Sequence, residues 1–167
     1  MVVSNYIDSL FLKYNKNFKV SKNIDLFGKK INLFAQHKGI GGRTFVTQND
    51  IIDKFEFNEY CLVTVYDKID IGNVEDYTEY LKTLTNTLVT PHRDHKSSTI
   101  TGVMVCTSSI DKSTENFIKK FRYTKPYKLY FHGWSDIQLL LVDLSNNLVI
   151  PNKQGEKVIK VYLPTSL

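Results

Sequence analysis

Arginine is scarce in this chain. Of its 22 basic residues only Arg43, Arg93 and Arg122 are arginine; the others are lysine. Proteins that read bases or clamp phosphates lean on the planar guanidinium fork. The net charge of +5 therefore reads first as compositional bias. Asn, Ile, Tyr and Phe are abundant beside Lys, which is what AT-rich codons of a low-GC genome impose. Cysteine is nearly absent. Cys61 and Cys106 each stand in an apolar, β-branched run with no paired spacing. That excludes a disulfide scaffold and makes a reducing, cytoplasmic setting the expectation. Proline numbers 4 and glycine 8, so there is no Pro- or Gly-rich linker and no collagen-like or low-complexity stretch. No apolar run approaches the roughly 18 residues a membrane span needs. The opening Met-Val-Val-Ser-Asn-Tyr has neither the basic nor the apolar region of a secretion signal, and no membrane partner is expected.

What is present is aromatic bulk. Phe and Tyr number 10 each, with one Trp, and hydrophobic residues make up 42% of the chain. At 167 residues that composition fits one packed domain, residues 1–167, burying roughly two thirds of its unfolded surface. Ile7, Leu10, Phe11 and Tyr14 step at helical spacing, predicting a helix over 5–14. Residues 18–27 and 30–37 read as a hairpin joined at Gly28-Lys29. Lys38-Gly-Ile-Gly-Gly-Arg43 reads as a flexible turn into a short strand over 43–47, and 49–54 as a helical turn. A strand follows at 59–66. Val74, Tyr77, Leu81, Leu84 and Leu88 form one apolar stripe of a helix capped by Asn73 and ended by Pro91. Residues 99–107 form a near-continuous β-branched run, the mark of a strand buried on both faces. A second main helix is expected over 112–121, then strands over 127–131, 136–144 and 158–163, the last on an edge. The expected class is α+β: a mixed sheet with two main helices packed against it, a helix–strands–helix–strand core, and a β-rich C-terminal segment.

Few polar groups interrupt the apolar runs, and those few are the candidate site. The loop Pro91-His-Arg-Asp-His-Lys-Ser-Ser holds His92, His95 and Ser98 between a helix and a buried strand, a common place for function. Two imidazoles three residues apart could reach one metal ion. No third ligand is evident, and the plainer reading is a loop that bonds its own backbone. Phe131-His-Gly-Trp-Ser-Asp places Trp134 and Asp136 beside Gly133, which would permit a bulge aimed at a pocket. Its plainer reading is a core indole with a satisfied N–H and a turn carboxylate. No catalytic residue, metal ligand set or cofactor is assigned.

Lys119, Lys120, Arg122, Lys125 and Lys128 interleave with Phe121, Tyr123 and Tyr127. That pattern suits nucleic-acid backbones and bases, and equally the solvated face of a helix. Gly39-Ile-Gly-Gly-Arg43 lacks the Gly-Lys-Ser/Thr ending of a phosphate loop, and no helix N-terminus follows closely. No Gly-x-Ser-x-Gly elbow exists, and neither cysteine faces a polar partner motif.

Asp25-Leu-Phe-Gly-Lys-Lys-Ile-Asn-Leu-Phe-Ala, Asn58-Glu-Tyr-Cys-Leu, Pro91 to Val103 and Gly133-Trp-Ser-Asp-Ile-Gln-Leu-Leu-Leu-Val-Asp-Leu resemble an uncharacterised domain-of-unknown-function family of clostridia (Firmicutes) and some archaea. The resemblance spans nearly the whole chain and implies no activity. It directs attention to the loop at 95–98 and to Gly133-Trp134. A looser resemblance is to the restriction-endonuclease-like fold, whose core runs helix, three strands, helix, strand. That superfamily holds Mg²⁺ with an Asp on one strand and a Glu-x-Lys on the next. Here Asn32 stands where the Asp would be, and Thr47 and Asn49 where the Glu and Lys would be. The resemblance thus implies a core stripped of its metal site.

The function expected from the sequence is a non-catalytic binding module for nucleic acid or a protein partner. One alternative is an enzyme whose polar site joins His92, His95 and Asp136, with or without a metal. Another is a structural, self-associating protein that uses its C-terminal β edge.

Overall fold

The structure is a computed structural model that describes residues 2–44 and 51–164. Its elements, in order, are α1 (Val3–Tyr14), β1 (Lys19–Leu26), β2 (Lys29–Thr44), β3 (Ile51–Val65), α2 (Ile71–Thr87), β4 (His95–Cys106), α3 (Lys112–Lys120), β5 (Thr124–Pro126), β6 (Trp134–Asp143) and β7 (Leu148–Pro151). A 3-10 turn (Glu156–Val158) and α4 (Ile159–Tyr162) follow. One seven-stranded sheet runs β1-β2-β3-β4-β6-β5, with β7 also paired to β6. β1, β2 and β3 form an antiparallel meander. β3, β4 and β6 are parallel. Helices α2 and α3 make the crossovers that parallel strands require. This is the α+β class expected, with helix, three strands, helix and strand in that order.

Each helix buries the stripe its spacing dictates. Val74, Tyr77, Leu81 and Leu84 of α2 and Ile118 of α3 pack on Leu62, Ile100, Met104, Ile137 and Leu139. Tyr6, Ile7 and Leu10 of α1, with Tyr162 of α4, cover Leu33, Cys61, Val63, Val103, Val105, Leu140 and Val142 on the opposite face. The strand expected over 99–107 is buried on both faces where both helical layers reach it: Val103, Met104, Val105 and Cys106 are fully buried. Full burial of each such side chain contributes roughly 1.5–3 kcal/mol. The α2 cap is Asp70, not Asn73. Asp70 Oδ1 accepts from the Asn73 amide, and Asn73 Oδ1 accepts in return from the Asp70 amide. Asn73 thus takes the third helical position of a capping box.

Several local expectations are corrected. Lys38–Arg43 is no turn; it continues β2, paired residue by residue with β3. The helical turn expected at 49–54 is replaced, over its described part, by the start of β3. Of the short strand expected over 43–47, Arg43 and Thr44 are the end of β2, and Phe45–Thr47 lie outside the described residues. Residues 127–131 are not a strand. Lys128, Leu129 and Tyr130 take positive φ values of 45, 52 and 72°, and the pairing falls to Thr124–Pro126 instead. The edge strand expected at 158–163 is α4, whose Tyr162 is drawn inward to contact Tyr6, Tyr14 and Cys61. Short range alternation there imitated a strand because a single helical turn carries too few residues to display its own period.

Candidate functional site

The polar candidates collect at the end of the sheet where β4 and β6 begin. His95 pairs with Glu56 of β3, and Ser97 pairs with both Phe57 and Trp134. The register shifts at Glu56/Phe57, leaving Lys96 as an extra residue of β4. Beyond that bulge side chains alternate strictly between faces. Ser98 and Ser135 oppose each other on the α2 side. Trp134 and Asp136 flank Ser135 and so lie on the α1 side. The sequence candidates divide by face, His95 and Ser98 meeting on one and Trp134 and Asp136 standing on the other; of the four, His95 and Trp134 share an opening at the end of the sheet.

On the α2 side the His95–Ser98 and Tyr127–Ser135 pairs are hydrogen-bonded and buried. The His95 Nδ1 atom lies 2.7 Å from the carbonyl oxygen of His132 and Nε2 lies 2.8 Å from Ser98 Oγ. A carbonyl only accepts, so Nδ1 carries the proton and Nε2 accepts from the Ser98 hydroxyl. Tyr127 Oη donates to the carbonyl of Thr85 at 3.1 Å and accepts from Ser135 Oγ at 2.8 Å. The His95 and Tyr127 rings meet edge to face. The Ser–His pair has the hydrogen-bond order of an activated hydroxyl, but Ser98 is 0% exposed, so no substrate reaches Oγ in this arrangement. What it does is tie α2 and the 127–133 turn to β4 and β6. His92, half-buried, contacts Glu56 Oε2 through Nε2 at 3.2 Å. Asn58 Nδ2 donates to Glu56 Oε1 at 2.9 Å. These two partners, Asn58 first, hold the Glu56 carboxyl below its ordinary value. His132 is also shifted down, by crowding that strips solvent and then by Lys128, His92 and His95. Among the described residues no group of three or more His, Cys, Asp or Glu side chains is placed to hold a metal ion.

The α1 side is different. Here α1 and α4 cover only the far half of the sheet. Phe57, Ser97, Thr99, Trp134 and Asp136 are all half-buried, and Glu59 is exposed. Trp134 Nε1 donates to Asp136 Oδ2 at 2.8 Å, and Thr124 Oγ1 donates to Asp136 Oδ1 at 2.5 Å. This carboxylate fixes the indole and a neighbouring strand.

Next to Trp134 opens a cleft of about 260 Å³, lined by Lys54, Phe55, Arg93, Asp94, His95, Lys96, Tyr130, Phe131 and Gly133. Three cations and four aromatic rings, Trp134 included, thus surround one opening. Lys96 Nζ sits 4.3 Å from the centre of the Phe55 ring, a cation–π contact. Leu129 and Phe131, 86% and 81% exposed, project from the left-handed turn. That backbone costs each non-glycine residue about 1–2 kcal/mol. Gly133 (φ 73°) ends the turn against β4, where a Cβ would stand 2.1 Å from the Lys96 carbonyl oxygen.

The glycines of β2 have a role that spacing alone concealed. A Cβ on Gly39 would lie 2.1, 2.3 and 2.6 Å from three atoms of the Phe57 ring, and one on Gly41 would lie 2.3 and 2.4 Å from two atoms of Phe55. Near-equal distances to adjacent ring atoms mean the Cβ direction passes through the ring face. Both rings therefore lie flat on β2, each over a residue with no side chain, as aromatic residues do when they cover strand glycines.

Phe55, Phe57, Lys54 and Lys96 were absent from the sequence candidates. The signal was there: Phe-x-Phe at strand spacing, and Gly-x-Gly one strand earlier. Only the register joins them.

The basic stretch is dispersed. Lys119 pairs with Glu115. Arg122 donates to the carbonyls of Lys119 and Phe121, closing the C-terminus of α3. Lys120 is exposed, Lys125 contacts Asn86, and Lys128 stands in the left-handed turn. Asn32 Oδ1 accepts from the Val65 amide at 2.9 Å. β3, the strand following β2, carries no Glu-x-Lys or Asp-x-Lys. Thr47 and Asn49 lie outside the described residues. Both thiols are buried, and burial pushes Cys61 up to about 11 and raises Cys106. Neither is poised as a nucleophile.

Fold and site together define an α+β protein with a mixed seven-stranded sheet and a basic, aromatic cleft at one end. The chain belongs to the family described as Domain of unknown function (DUF8052), whose family model matches residues 3–164. No curated protein and no solved structure matches the chain. No helix among the described residues is long and apolar enough to cross a membrane.

Proposed function

We propose that the protein is a non-catalytic binding module for nucleic acid and that the cleft beside Trp134 is its contact surface. The observation that carries this reading is the convergence of Lys54, Arg93 and Lys96 on an opening walled by aromatic rings. Cations neutralise phosphates and aromatic faces accept bases. Two further facts support the absence of catalysis. Asn32, in the place of a nuclease-type Asp, spends its side-chain oxygen on a backbone amide. Ser98 and His95 are buried, and Asp136 stands on the other face of the sheet. The helix–strands–helix–strand order supports a degenerate nuclease-like core by analogy of fold only, and fold does not fix function.

The test is binding of labelled DNA and RNA by fluorescence anisotropy across a salt series. Binding at low salt should weaken linearly on a log–log plot. Changing Lys54, Arg93 and Lys96 together to Gln should reduce the slope by about 2 to 3. Absence of binding at low salt overturns the reading.

A further inference from the structure

We infer that the uncovered sheet face beside the cleft is a stacking platform for unpaired bases, so that the ligand is single-stranded rather than duplex nucleic acid. The inference rests on the nucleic-acid reading above and names the substrate of the same site.

Three observations carry it. The first is ring orientation. Phe57 lies flat with one face on Gly39, so its other face points away from the sheet. An upright Phe on a strand presents its edge; a ring laid on glycine presents a plane. The second is the row it belongs to. Phe57, Ser97 and Trp134 are neighbours in register on three adjacent strands. All three keep solvent access in a sheet whose other half is sealed by α1 and α4. Two strand spacings put the backbones of Phe57 and Trp134 about 9.5 Å apart, and the Phe57 ring, laid over Gly39 of β2, stands roughly one spacing further out. Each aromatic can take one base, and the small Ser97 between them leaves the path open. Trp134 is held in place by Asp136, so ordering it on binding costs little.

The third is charge. Lys96 stands over the Phe55 ring, two residues along β3 from Phe57. Arg93 and Lys54 line the adjoining cleft. A strand whose bases rest on Phe57 and Trp134 would run its phosphates past these cations. Every base has a π face, so recognition of this kind tolerates sequence, but a duplex keeps its bases inside the stack and cannot offer them. Sheets that bind single strands use this combination of flat aromatic faces and flanking positive charge.

Trp134 is the only tryptophan, so its fluorescence, excited where tyrosine does not absorb, reports the platform directly. The full chain is titrated at low salt with a single-stranded oligonucleotide of about ten nucleotides, with a blunt duplex of the same sequence, and with inorganic polyphosphate. The single strand should quench Trp134 and bind at least about tenfold more tightly than the duplex. Phe57→Leu, checked for folding by circular dichroism, should weaken single-strand binding about tenfold and leave polyphosphate binding unchanged. Trp134→Leu, followed by anisotropy of a labelled strand, provides the same comparison if Phe57→Leu does not fold. Equal binding of single strand and duplex without a Trp134 response overturns the stacking platform and leaves the basic cleft standing. Unchanged affinity in a folded Phe57→Leu protein overturns it as well. Failure of all three polyanions to bind overturns both readings.

Discussion

Ser98 Oγ donates to His95 Nε2 at 2.8 Å while the other nitrogen of the same ring is committed to the His132 carbonyl at 2.7 Å. The imidazole is thus a fixed bridge between the first turn of β4 and the left-handed turn. Ser98→Ala leaves a buried ring nitrogen without a donor. The expected loss is about 1–3 kcal/mol of stability, measured by urea unfolding.

Asn152 should be the most costly polar truncation in the chain. It is fully buried. Its Oδ1 accepts from the Leu139 and Gly155 amides, and its Nδ2 donates to the Ile137 carbonyl at 3.1 Å. Asn152→Ala strands the Leu139 amide and the Ile137 carbonyl at once, while the Gly155 amide keeps only the Asn152 backbone carbonyl. At about 1–3 kcal/mol for each buried group left unsatisfied, a loss above about 3 kcal/mol is expected in the same unfolding assay. A loss below about 1 kcal/mol would contradict the bonding described.

Gly133→Ala should also be severe, for a different reason. Its φ of 73° suits glycine, and the added methyl would meet the Lys96 backbone 2.1 Å away. Backbone cannot swing aside as a side chain can. The 127–133 turn should detach from β4, seen as faster amide exchange at Tyr127, which donates to the Gly133 carbonyl, and at Gly133, which donates to the Tyr130 carbonyl. A stability loss of about 1–3 kcal/mol is expected for such overpacking.

Acid should weaken the protein in two stages. His132 is held below its ordinary value, so the unfolded chain takes up its proton first as pH falls from about 6.5. Stability declines from there until the folded protein's own, lower value is passed. Glu56 is likewise depressed. Its contribution is complete above about pH 4.3 and is lost as pH falls through its folded value. Thermal midpoints against pH check both. His132→Asn should flatten the upper stage, and Glu56→Gln should reduce without abolishing the lower one, which Asp111, Glu115 and Asp143, also held below their ordinary values, share.

The long-period elements were legible in the sequence. The α2 stripe from Val74 to Leu88 and the apolar run after Thr99 needed only spacing and burial. What failed was short or local. Gly39-Ile-Gly-Gly looked like a turn because glycine is a poor strand former on its own. The compensation comes from Phe55 and Phe57, residues on another strand. Tyr127–Phe131 has strand-like composition, but Gly133 and the His95 bridge force a left-handed turn there. The candidate residues His95, Ser98, Trp134 and Asp136 stand out in the sequence as polar or amphipathic groups in apolar strands. Their division between two faces was invisible, because it depends on the bulge at Lys96 and on register.

That division has a practical reading for mutational scanning. β4 is a wall with two tenants. Ser98 and Ile100 belong to the packed interior, Ser97 and Thr99 to the open side. Substitutions stepping along these four positions should therefore alternate in phenotype, with abundance in the cell falling at 98 and 100 and ligand retention falling at 97 and 99. A period of two in such a map would separate folding from binding without any structure of a complex.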